Sequence, residues 1–417
     1  VVEPARIERM VWRGHRPPFA SAGAWLAYGL GRSYGDVCLN EDGVSILTHG
    51  LDRIISFNEE RGIVRCEAGV SLETLIRFAL PRGFFPATTP GTQLITIGGA
   101  VANDVHGKNH HRVGSFGNTV LGLHLLRSDG SLLWCTPSEN SELFSATIGG
   151  LGLTGLIIDV ELQLRRVRGP WIDAETFRFH TLREFLHLSR ELAPRYEYTV
   201  AWVDGTSSGA QLGRGLFYAG NHSTTTLYDR PEKRKFRIPF PFDAPDKLLT
   251  RSTISIFNSF YWRKTLSDRQ ASQRHYTNFF YPLDTIEDWN RLYGKRGFFQ
   301  HQSVIPFENG EETLRELLSR VSHYGKASFL AVLKTFGSEP SRGMLSFPRP
   351  GITLALDFAN EGEETLQFLN SLDEVVAQAG GAIYPAKDAR MSREMFQLSF
   401  PRLEEFKQWK DPLFSSS

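Results

Sequence analysis

The sequence predicts a mixed fold of α-helices and β-strands, an α+β protein, divided into more than one domain. Its 417 residues exceed the roughly 100–200 residues of a typical domain, so two or three domains are expected. Residues 24–160 are rich in glycine and in short β-branched runs, which is typical of short strands joined by tight turns. The composition shifts near Gly169-Pro170, and longer helix and strand patterns follow, which indicates a second unit.

Hydrophobic periodicity predicts the elements in chain order. In the first part we expect strands at 44–49, 54–57 and 63–69, a helix at 71–80, two strands within 119–135, a helix at 142–150 and a strand at 155–167. Ser71 is an N-cap candidate, because its hydroxyl can accept from the first free backbone N–H groups of the helix. Residues 215–260 read as irregular, with a basic loop face near 233–237.

The charge balance and the cysteines exclude several classes of protein. Lysine and arginine number 47 against 46 acidic residues, so an electrostatic nucleic-acid binder is not expected. Cys38, Cys66 and Cys135 form no CxxC pair, which argues against a disulfide framework or a thiolate metal site. No signal peptide and no run of about 18 apolar residues is seen, so the expected location is the cytoplasm, with peripheral membrane contact left open.

Glycine-rich turns suggest a phosphate-bearing cofactor. Gly150, Gly152 and Gly155 match GxGxxG, but a predicted helix precedes them and a strand follows, the reverse of a dinucleotide-binding fingerprint. Further turns lie at 29–36, 90–92 and 97–100. Each alone is an ordinary tight turn, whereas together their backbone N–H groups favour a long, diphosphate-containing cofactor.

The densest polar cluster is HGKNHH at 106–111. A metal reading would use His106, His110 and His111, but adjacent histidines point in different directions and no acidic partner follows, so no metal is predicted. A turn in which His106 and Lys108 face a cofactor or substrate fits better. Near the C-terminus, Lys387 follows a strand-like segment, and a lone loop lysine is usually solvated.

Eight segments carry a resemblance to a known family. They read GLGRSYGD (29–36), PGTQLITIGGAVANDVHGKNHHRVGSFGN (90–118), LFSATIGGLGLTGLI (143–157), AWVD (201–204), FFQHQSVIP (298–306), SFLAVLKTFG (328–337), LSFPRPG (345–351) and YPAKDAR (384–390). In this order the chain resembles the FAD-dependent oxidases of the vanillyl-alcohol-oxidase superfamily, with a PCMH-type FAD-binding domain. Within it, the chain is most similar to the polyprenylphosphoryl-ribose oxidases.

The resemblance implies an α+β fold of two domains. An FAD-binding domain of two α+β subdomains would cover 1–170 and be completed by 382–417, and 171–381 would form a substrate domain with an antiparallel sheet flanked by helices. The residues that it assigns to FAD are Gly29, Gly31, Arg32, Ser33, Tyr34, Gly35, Asp36, Pro90, Gly91, Thr92, Thr96, Ile97, Gly98, Gly99, Ala100, Asn103, His106, Gly107, Asn109, Gly114, Ser115, Gly117, Asn118, Gly152, Gly155, Ile157 and Tyr384. Many relatives join a histidine of the first glycine loop to the flavin; residues 27–36 contain none, so non-covalent FAD is expected.

The implied reaction is oxidation of the 2′-hydroxyl of a polyprenylphosphoryl-β-D-ribose, the first half of an epimerisation that serves cell-wall arabinan synthesis. Lys387 is the first candidate for the general base, with His106 and Tyr34 as further catalytic candidates. The substrate positions that match are Lys108, Trp202, Phe280, Gln300, Gln302, Lys334, Thr353 and Lys387. Phe280, Thr353 and Ala355 depart from a tyrosine, an asparagine and a cysteine in the resembled enzymes, which leaves the exact substrate open.

Partners and rival functions follow from the same resemblance. A lipid-linked sugar phosphate would be the substrate, and a separate NADH-dependent reductase would complete the epimerisation. An oxygen-using alditol or aldonolactone oxidase is the alternative within the superfamily, and a catalytically silent flavin-binding scaffold is the alternative outside enzymes. The 30 phenylalanines concentrate in 171–381, and the clusters at 279–281, 298–299 and 236–242 predict apolar loops for a lipid tail or a membrane surface.

Overall fold

The computed structural model describes residues 6–19, 23–225, 238–239, 250–265 and 267–416, with the backbone alone for 238–239 and 327–329. The strands are β1 Arg6–Arg9, β2 Trp25–Tyr28, β3 Val44–Leu47, β4 Ile54–Asn58, β5 Ile63–Glu67, β6 Phe84–Pro86, β7 Val120–Leu126, β8 Leu132–Cys135, β9 Leu156–Arg166, β10 Trp171–Phe179, β11 Tyr198–Val203, β12 Gly215–His222, β13 Ile238–Pro239, β14 Arg269–His275, β15 Ile286–Glu287, β16 Phe298–Ile305, β17 Ala327–Phe336, β18 Gly351–Ala359 and β19 Ala382–Ile383. The helices are α1 Leu72–Ala79, α2 Ile97–Ala102, α3 His110–Val113, α4 Ser141–Thr147, α5 Leu182–Leu192, α6 Arg251–Arg263, α7 Tyr276–Phe280, α8 Gly310–Tyr324, α9 Glu363–Gln378, α10 Arg393–Ser399 and α11 Leu403–Lys407.

The strands form two larger sheets and two small ones, which confirms the predicted α+β class. A small parallel sheet has the order β1-β3-β2, and the next sheet runs β4-β5-β9-β7-β8 with β6 paired to β9. The largest sheet is antiparallel and has the order β14-β10-β12-β11-β17-β18-β16-β19. A short parallel pair joins β13 to β15. The predicted domain boundaries at 170 and 382 stay a prediction.

Helix α1 shows how local sequence fixes an element in the first part of the chain. Its buried residues Leu72, Leu75, Ile76 and Ala79 recur at helical spacing, so they form one apolar stripe against the neighbouring sheet. Ser71 caps the helix, because its hydroxyl accepts from the backbone N–H of Thr74 at 3.0 Å. The predicted helix and its cap are confirmed.

The largest sheet separates two environments, because side chains alternate between its faces. Along β18, Ile352, Leu354, Leu356 and Phe358 face a core that includes residues of α5, α8 and α9. The residues between them face the opposite side. Cross-strand register aligns Lys334 with Thr353, and Ala355 with Gln302, so one face collects polar side chains from three strands.

The C-terminal segment returns to the first part of the chain. Asp411 accepts from the backbone N–H of Ser128 at 2.9 Å, and Arg127 donates to the carbonyl of Trp409 at 2.7 Å. Phe414 pairs with Trp25 at the end of the small parallel sheet and lies in the same apolar cluster. The last residues therefore pack on strands formed from the first fifty.

Two sequence expectations about residues 215–281 are wrong. Residues 215–222 and 251–263 are not irregular but form β12 and α6. Phe279, Phe280 and Tyr281 are buried instead of forming an exposed loop, since Phe280 packs against Phe85 and Tyr198 with ring centroids 5.6 and 4.8 Å away. Phe298 and Phe299 are half-buried, and the cluster at 236–242 lies outside the described residues apart from the backbone of 238–239.

Candidate active site

A cavity of about 1180 Å³ brings most of the predicted site residues together. This volume exceeds the roughly 300–1,000 Å³ of an ordinary ligand pocket, so it has room for a cofactor and a substrate. The predicted residues that line it are Gly29, Gly31, Arg32, Ser33, Tyr34, Pro90, Gly91, Thr92, Thr96, Gly98, Gly99, Asn103, His106, Gly107, Lys108, Gly152, Gly155, Ile157, Trp202, Phe280, Gln300, Gln302, Lys334, Thr353, Tyr384 and Lys387.

Nine predicted residues do not line this cavity. These are Gly35, Asp36, Ile97, Ala100, Asn109, Gly114, Ser115, Gly117 and Asn118. Ile97 and Ala100 face the core, because they occupy the opposite side of the short helix α2. A side chain at Gly35 would meet the backbone carbonyl of Asp388, so this glycine permits contact between the first loop and the C-terminal segment.

The Gly29–Tyr34 loop presents backbone donors to the cavity. Within the described part of the chain, the N–H groups of Leu30, Gly31, Arg32 and Ser33 donate no hydrogen bond to protein. Gly31 has a φ of +59°, which places this turn in the left-handed region that glycine adopts without strain. Consecutive free N–H groups in such a turn suit an anionic or carbonyl group.

The segment from Thr96 to Asn103 forms a second cradle. A Cβ at Gly98 would lie 2.9 Å from the Cβ of Ala68, and one at Gly29 would lie 2.6 Å from the hydroxyl of Thr96, so the backbones approach closely. Asn103 donates to the carbonyl of Gly99 at 2.9 Å, while its buried Oδ1 lacks a hydrogen-bond partner among the described atoms. A buried acceptor without a partner carries a free-energy cost, which a cofactor donor would remove.

The segment with the reversed GxGxxG pattern, residues 150–155, forms a third part of the cavity wall. Helix α4 ends at Thr147 before the glycines, and β9 starts at Leu156 after them, which confirms the predicted order. Gly152 and Gly155 have φ values of +77° and +135° and line the cavity. These observations together fit an elongated cofactor with a phosphate portion and a polar chain.

Asp104 holds this wall together, and sequence reasoning missed it. Its carboxylate accepts from the hydroxyls of Ser115 at 2.8 Å and Ser346 at 2.5 Å and from the N–H of Gly117 at 2.7 Å. Its φ of +40° is strained for a residue with a side chain, and burial raises its pKa. Asp104 lies in a run of small residues between two predicted glycine turns, and only its three partners on other segments reveal its role.

His106 sits at the centre of a polar cluster between the two larger sheets. Its Nδ1 lies 2.6 Å from Nζ of Lys334, and its Nε2 lies 3.0 Å from Nε2 of Gln302, which also donates to Thr353 at 3.2 Å. Burial, followed by the Lys334 charge, lowers the His106 pKa, so the imidazole is neutral.

The three histidines of HGKNHH do not converge. His110 accepts from the backbone N–H of Gly337 at 3.3 Å, and Nε2 of His111 lies 3.1 Å from the carbonyl of Tyr196. Over the described residues, no group of three or more histidine, cysteine or acidic side chains could hold a metal ion.

Three lysines reach this cavity with lowered pKa values. Burial lowers the pKa of Lys387 to about 8, with Asp357 acting in the opposite direction. Burial and then the neighbouring cations Lys108 and Lys387 lower that of Lys334 to about 7, and burial and Arg274 lower that of Lys108 to about 7. Each lysine can therefore exchange a proton near neutral pH.

The lysines differ in their partners. Lys108 donates to the carbonyl of Phe279, and Lys334 donates to the carbonyl of Gly107 at 3.2 Å. Nζ of Lys387 makes no hydrogen bond or ion pair to any described residue and lies 3.8 Å from the ring centroid of Tyr34. The backbone fixes this contact, because the N–H of Tyr34 donates to the carbonyl of Ala386 at 3.0 Å.

Tyr384 and the substrate-side wall complete the cavity. The hydroxyl of Tyr384 donates to the carbonyl of Asn103 at 2.9 Å, which ties the C-terminal segment to the second cradle. Gln300 donates to Asp357 at 2.5 Å, and burial raises the Asp357 pKa to about 6. Asp357 was missed, because its place on the same strand face as Ala355, two residues earlier, marks it only once β18 is known to line the cavity.

Comparisons with known proteins agree with this geometry. A family model described as an FAD binding domain matches residues 20–136. The chain is 36% identical over 393 residues to decaprenylphosphoryl-β-D-ribose oxidase of Mycolicibacterium smegmatis, which covers 91% of this chain and 84% of that protein. It is 35% identical over 127 residues to mitochondrial D-2-hydroxyglutarate dehydrogenase of Rattus norvegicus, which covers 29% of this chain and 24% of that protein. It is 30% identical over 137 residues to L-gulonolactone oxidase of Mus musculus, which covers 32% of this chain and 30% of that protein. The chain belongs to the family of decaprenylphosphoryl-β-D-ribose oxidases and is an FAD-dependent oxidoreductase.

Proposed function

We propose that the protein oxidises the 2′-hydroxyl of a polyprenylphosphoryl-β-D-ribose to the 2′-ketone. The observation that carries this proposal is the Lys387 amine, which has no hydrogen-bond or ion-pair partner among the described residues and lies on the wall of the cavity that the glycine cradles also line. The similarity over most of the chain to an oxidase of that substrate class supports it.

The residues present fit FAD. Backbone N–H groups of the Gly29–Ser33 loop suit its diphosphate, and Oδ1 of Asn103 suits a donor of its polar chain. Tyr384 and His106 would hold its redox-active end near the substrate wall. When bound, FAD supplies the acceptor for the hydride that leaves C2 of the ribose.

Lys387 is proposed to take the hydroxyl proton as this hydride leaves, so that the C2–O bond becomes a carbonyl. The neutral amine is the active form, and a pKa of about 8 keeps it accessible near neutral pH. Lys334, His106 and Gln302 would orient the sugar hydroxyls, since the two ring nitrogens of His106 lie 2.6 Å from Nζ of Lys334 and 3.0 Å from Nε2 of Gln302.

FAD is expected to be bound without a covalent link. No histidine lies between residues 27 and 36, and His106 has partners on both ring nitrogens. Acid precipitation of the purified holoenzyme should leave the flavin in the supernatant, measured by its absorbance and fluorescence. Yellow colour that stays in the washed protein pellet would contradict this expectation.

The function itself is tested by anaerobic mixing with polyprenylphosphoryl-β-D-ribose. The visible flavin absorption bands should bleach, whereas the matched polyprenyl phosphate without sugar should leave them unchanged. Bands that persist with the sugar lipid would refute the proposal. Oxygen consumption with small alditols or aldonolactones would instead favour the alternative oxidase, which the partial similarity to L-gulonolactone oxidase keeps in view.

The keto product requires a second step, a reduction of the 2′-ketone, to complete an epimerisation to the arabinose form for cell-wall arabinan. The GxGxxG of this chain leads into a strand, an arrangement that does not suit a dinucleotide. We therefore place the NADH-dependent reduction on a separate protein.

Across the described residues no helix is both long and apolar enough to span a membrane. Peripheral contact with the membrane that holds the lipid substrate is proposed.

A further inference from the structure

We propose that the outer face of helix α6 docks on an anionic phospholipid bilayer and sets the cavity mouth against the membrane. This inference rests on the proposed function, since a lipid-tailed substrate must reach the cavity from a bilayer. Helix α6 spans Arg251–Arg263, and sequence reasoning did not predict it.

The helix has its apolar residues outside. Ile256, Phe257 and Phe260 are 59, 48 and 73% exposed, and their spacing places them on one face. A helix on a protein surface that contacts only water carries polar residues on that face. Large apolar side chains collected there mark a contact with a lipid or a protein.

Polar contacts hold the inner side of α6 in this orientation. Asn258 is buried and donates to Asp204 at 2.8 Å, and Asp204 also pairs with Arg214 at 2.8 Å. Trp262 donates to the carbonyl of Phe179 at 3.3 Å. Because turning the helix would bury its apolar face only by breaking this network, the outward orientation is fixed by the fold.

Basic residues favour an anionic bilayer over an apolar protein partner. Arg263 and Lys264 are exposed at the C-terminal end of this apolar face. Arg263 and Lys264 have no ion pair with any described carboxylate. Cations beside exposed aromatic and aliphatic side chains are typical of helices that lie in the headgroup region of an anionic bilayer.

The exposed face is continuous with the cavity. Phe257, Tyr261 and Lys264 belong both to this face and to the cavity wall, and Val332 of β17, which is 36% exposed, lines the wall beside them. A membrane beneath α6 would let the sugar phosphate enter the cavity while the polyprenyl chain stays in the bilayer.

The test is sedimentation of the FAD-loaded protein with vesicles of 30% phosphatidylglycerol and 70% phosphatidylcholine. The double variant Ile256→Ser/Phe260→Ser should lower the partition coefficient at least ~10-fold, because two large apolar side chains leave the bilayer. Arg263→Gln should lower it by about 5-fold, and only with anionic vesicles. Phe307→Ser is the matched control, since Phe307 is 49% exposed and is not part of α6, and it should leave binding unchanged.

Flavin reduction separates this inference from the proposed function. With a soluble short-chain polyprenylphosphoryl ribose, the double variant should match the wild type in both KM and kcat. With the full-length lipid in vesicles, only its apparent KM should rise, by ~10-fold or more. The inference is overturned if the wild type fails to bind vesicles or if the double variant binds them equally well. It is also overturned if the wild type forms a dimer but does not bind vesicles, and the double variant is a monomer. A wild-type flavin that neither substrate reduces overturns the proposed function instead.

Discussion

Replacing Lys387 by alanine is expected to slow flavin reduction by polyprenylphosphoryl ribose by about 10²–10⁴-fold, the usual contribution of a general base. FAD should remain bound, since the backbone contact between Tyr34 and Ala386 does not need the lysine side chain. The measurement is anaerobic stopped-flow absorbance at saturating substrate, with FAD content determined on the same sample.

The pH profile identifies the group. In the wild type the reduction rate should rise as pH increases through about 8, because Lys387 accepts the proton only as a neutral amine. The alanine variant should lack this rise. The pH profiles of Lys334→Met and Lys108→Met are compared with that of Lys387→Ala. Those two lysines also have lowered pKa values, near 7, but they already donate to backbone carbonyls. A normal reduction rate in Lys387→Ala would remove Lys387 from consideration as the base.

Replacing Asp104 by alanine is expected to lower the free energy of unfolding by about 2–5 kcal/mol, because it removes the carboxylate that accepts from three buried donors, of which only the Ser115 hydroxyl has a second acceptor among the described residues, Oδ1 of Asn118 at 3.0 Å. Those donors are the hydroxyls of Ser115 and Ser346 and the N–H of Gly117. FAD should also dissociate more readily, since the neighbouring Asn103 lines the cavity. Urea unfolding and flavin fluorescence on dilution measure the two effects.

Two variants calibrate this result. Asp104→Asn retains one carbonyl acceptor and tolerates the positive φ, so its loss of stability should be smaller than that of the alanine variant. Asp129→Ala removes an exposed carboxylate that accepts from the backbone N–H of Ser131, and it should lower the unfolding free energy less than Asp104→Ala does. An Asp104→Ala protein as stable as the wild type would show that the three donors find other partners.

Local sequence patterns predicted the elements that have ordinary amphipathicity. Helix α1 follows from its apolar spacing and Ser71, and the reversed glycine turn before β9 follows from the pattern on each side. Helix α6 escaped because its apolar residues face outward while Asn258 is buried, so its periodicity does not mark a core face. The burial of Phe280 escaped because its partners Phe85 and Tyr198 come from distant strands.

Site residues that lie within a sequence motif were predictable, whereas those whose role depends on contacts with distant segments were not. The resemblance placed Lys387 and Tyr34 in the site, but only the fold shows that they touch. Asp104 and Asp357 act through neighbours on other segments, so neither position has a local signature. The alternation along β18 indicates Asp357 only once that strand is known to line a cavity.

The contact between Tyr34 and Lys387 also has a consequence for biosynthesis. The two residues are about 350 positions apart in the chain. At a translation rate of about 5–20 residues per second, the first glycine loop leaves the ribosome roughly 20–70 s before its C-terminal partner. The nascent protein therefore spends most of its synthesis with an incomplete catalytic cavity. Ribosomes that stop before residue 387 release chains that hold the glycine cradles but lack the proposed base.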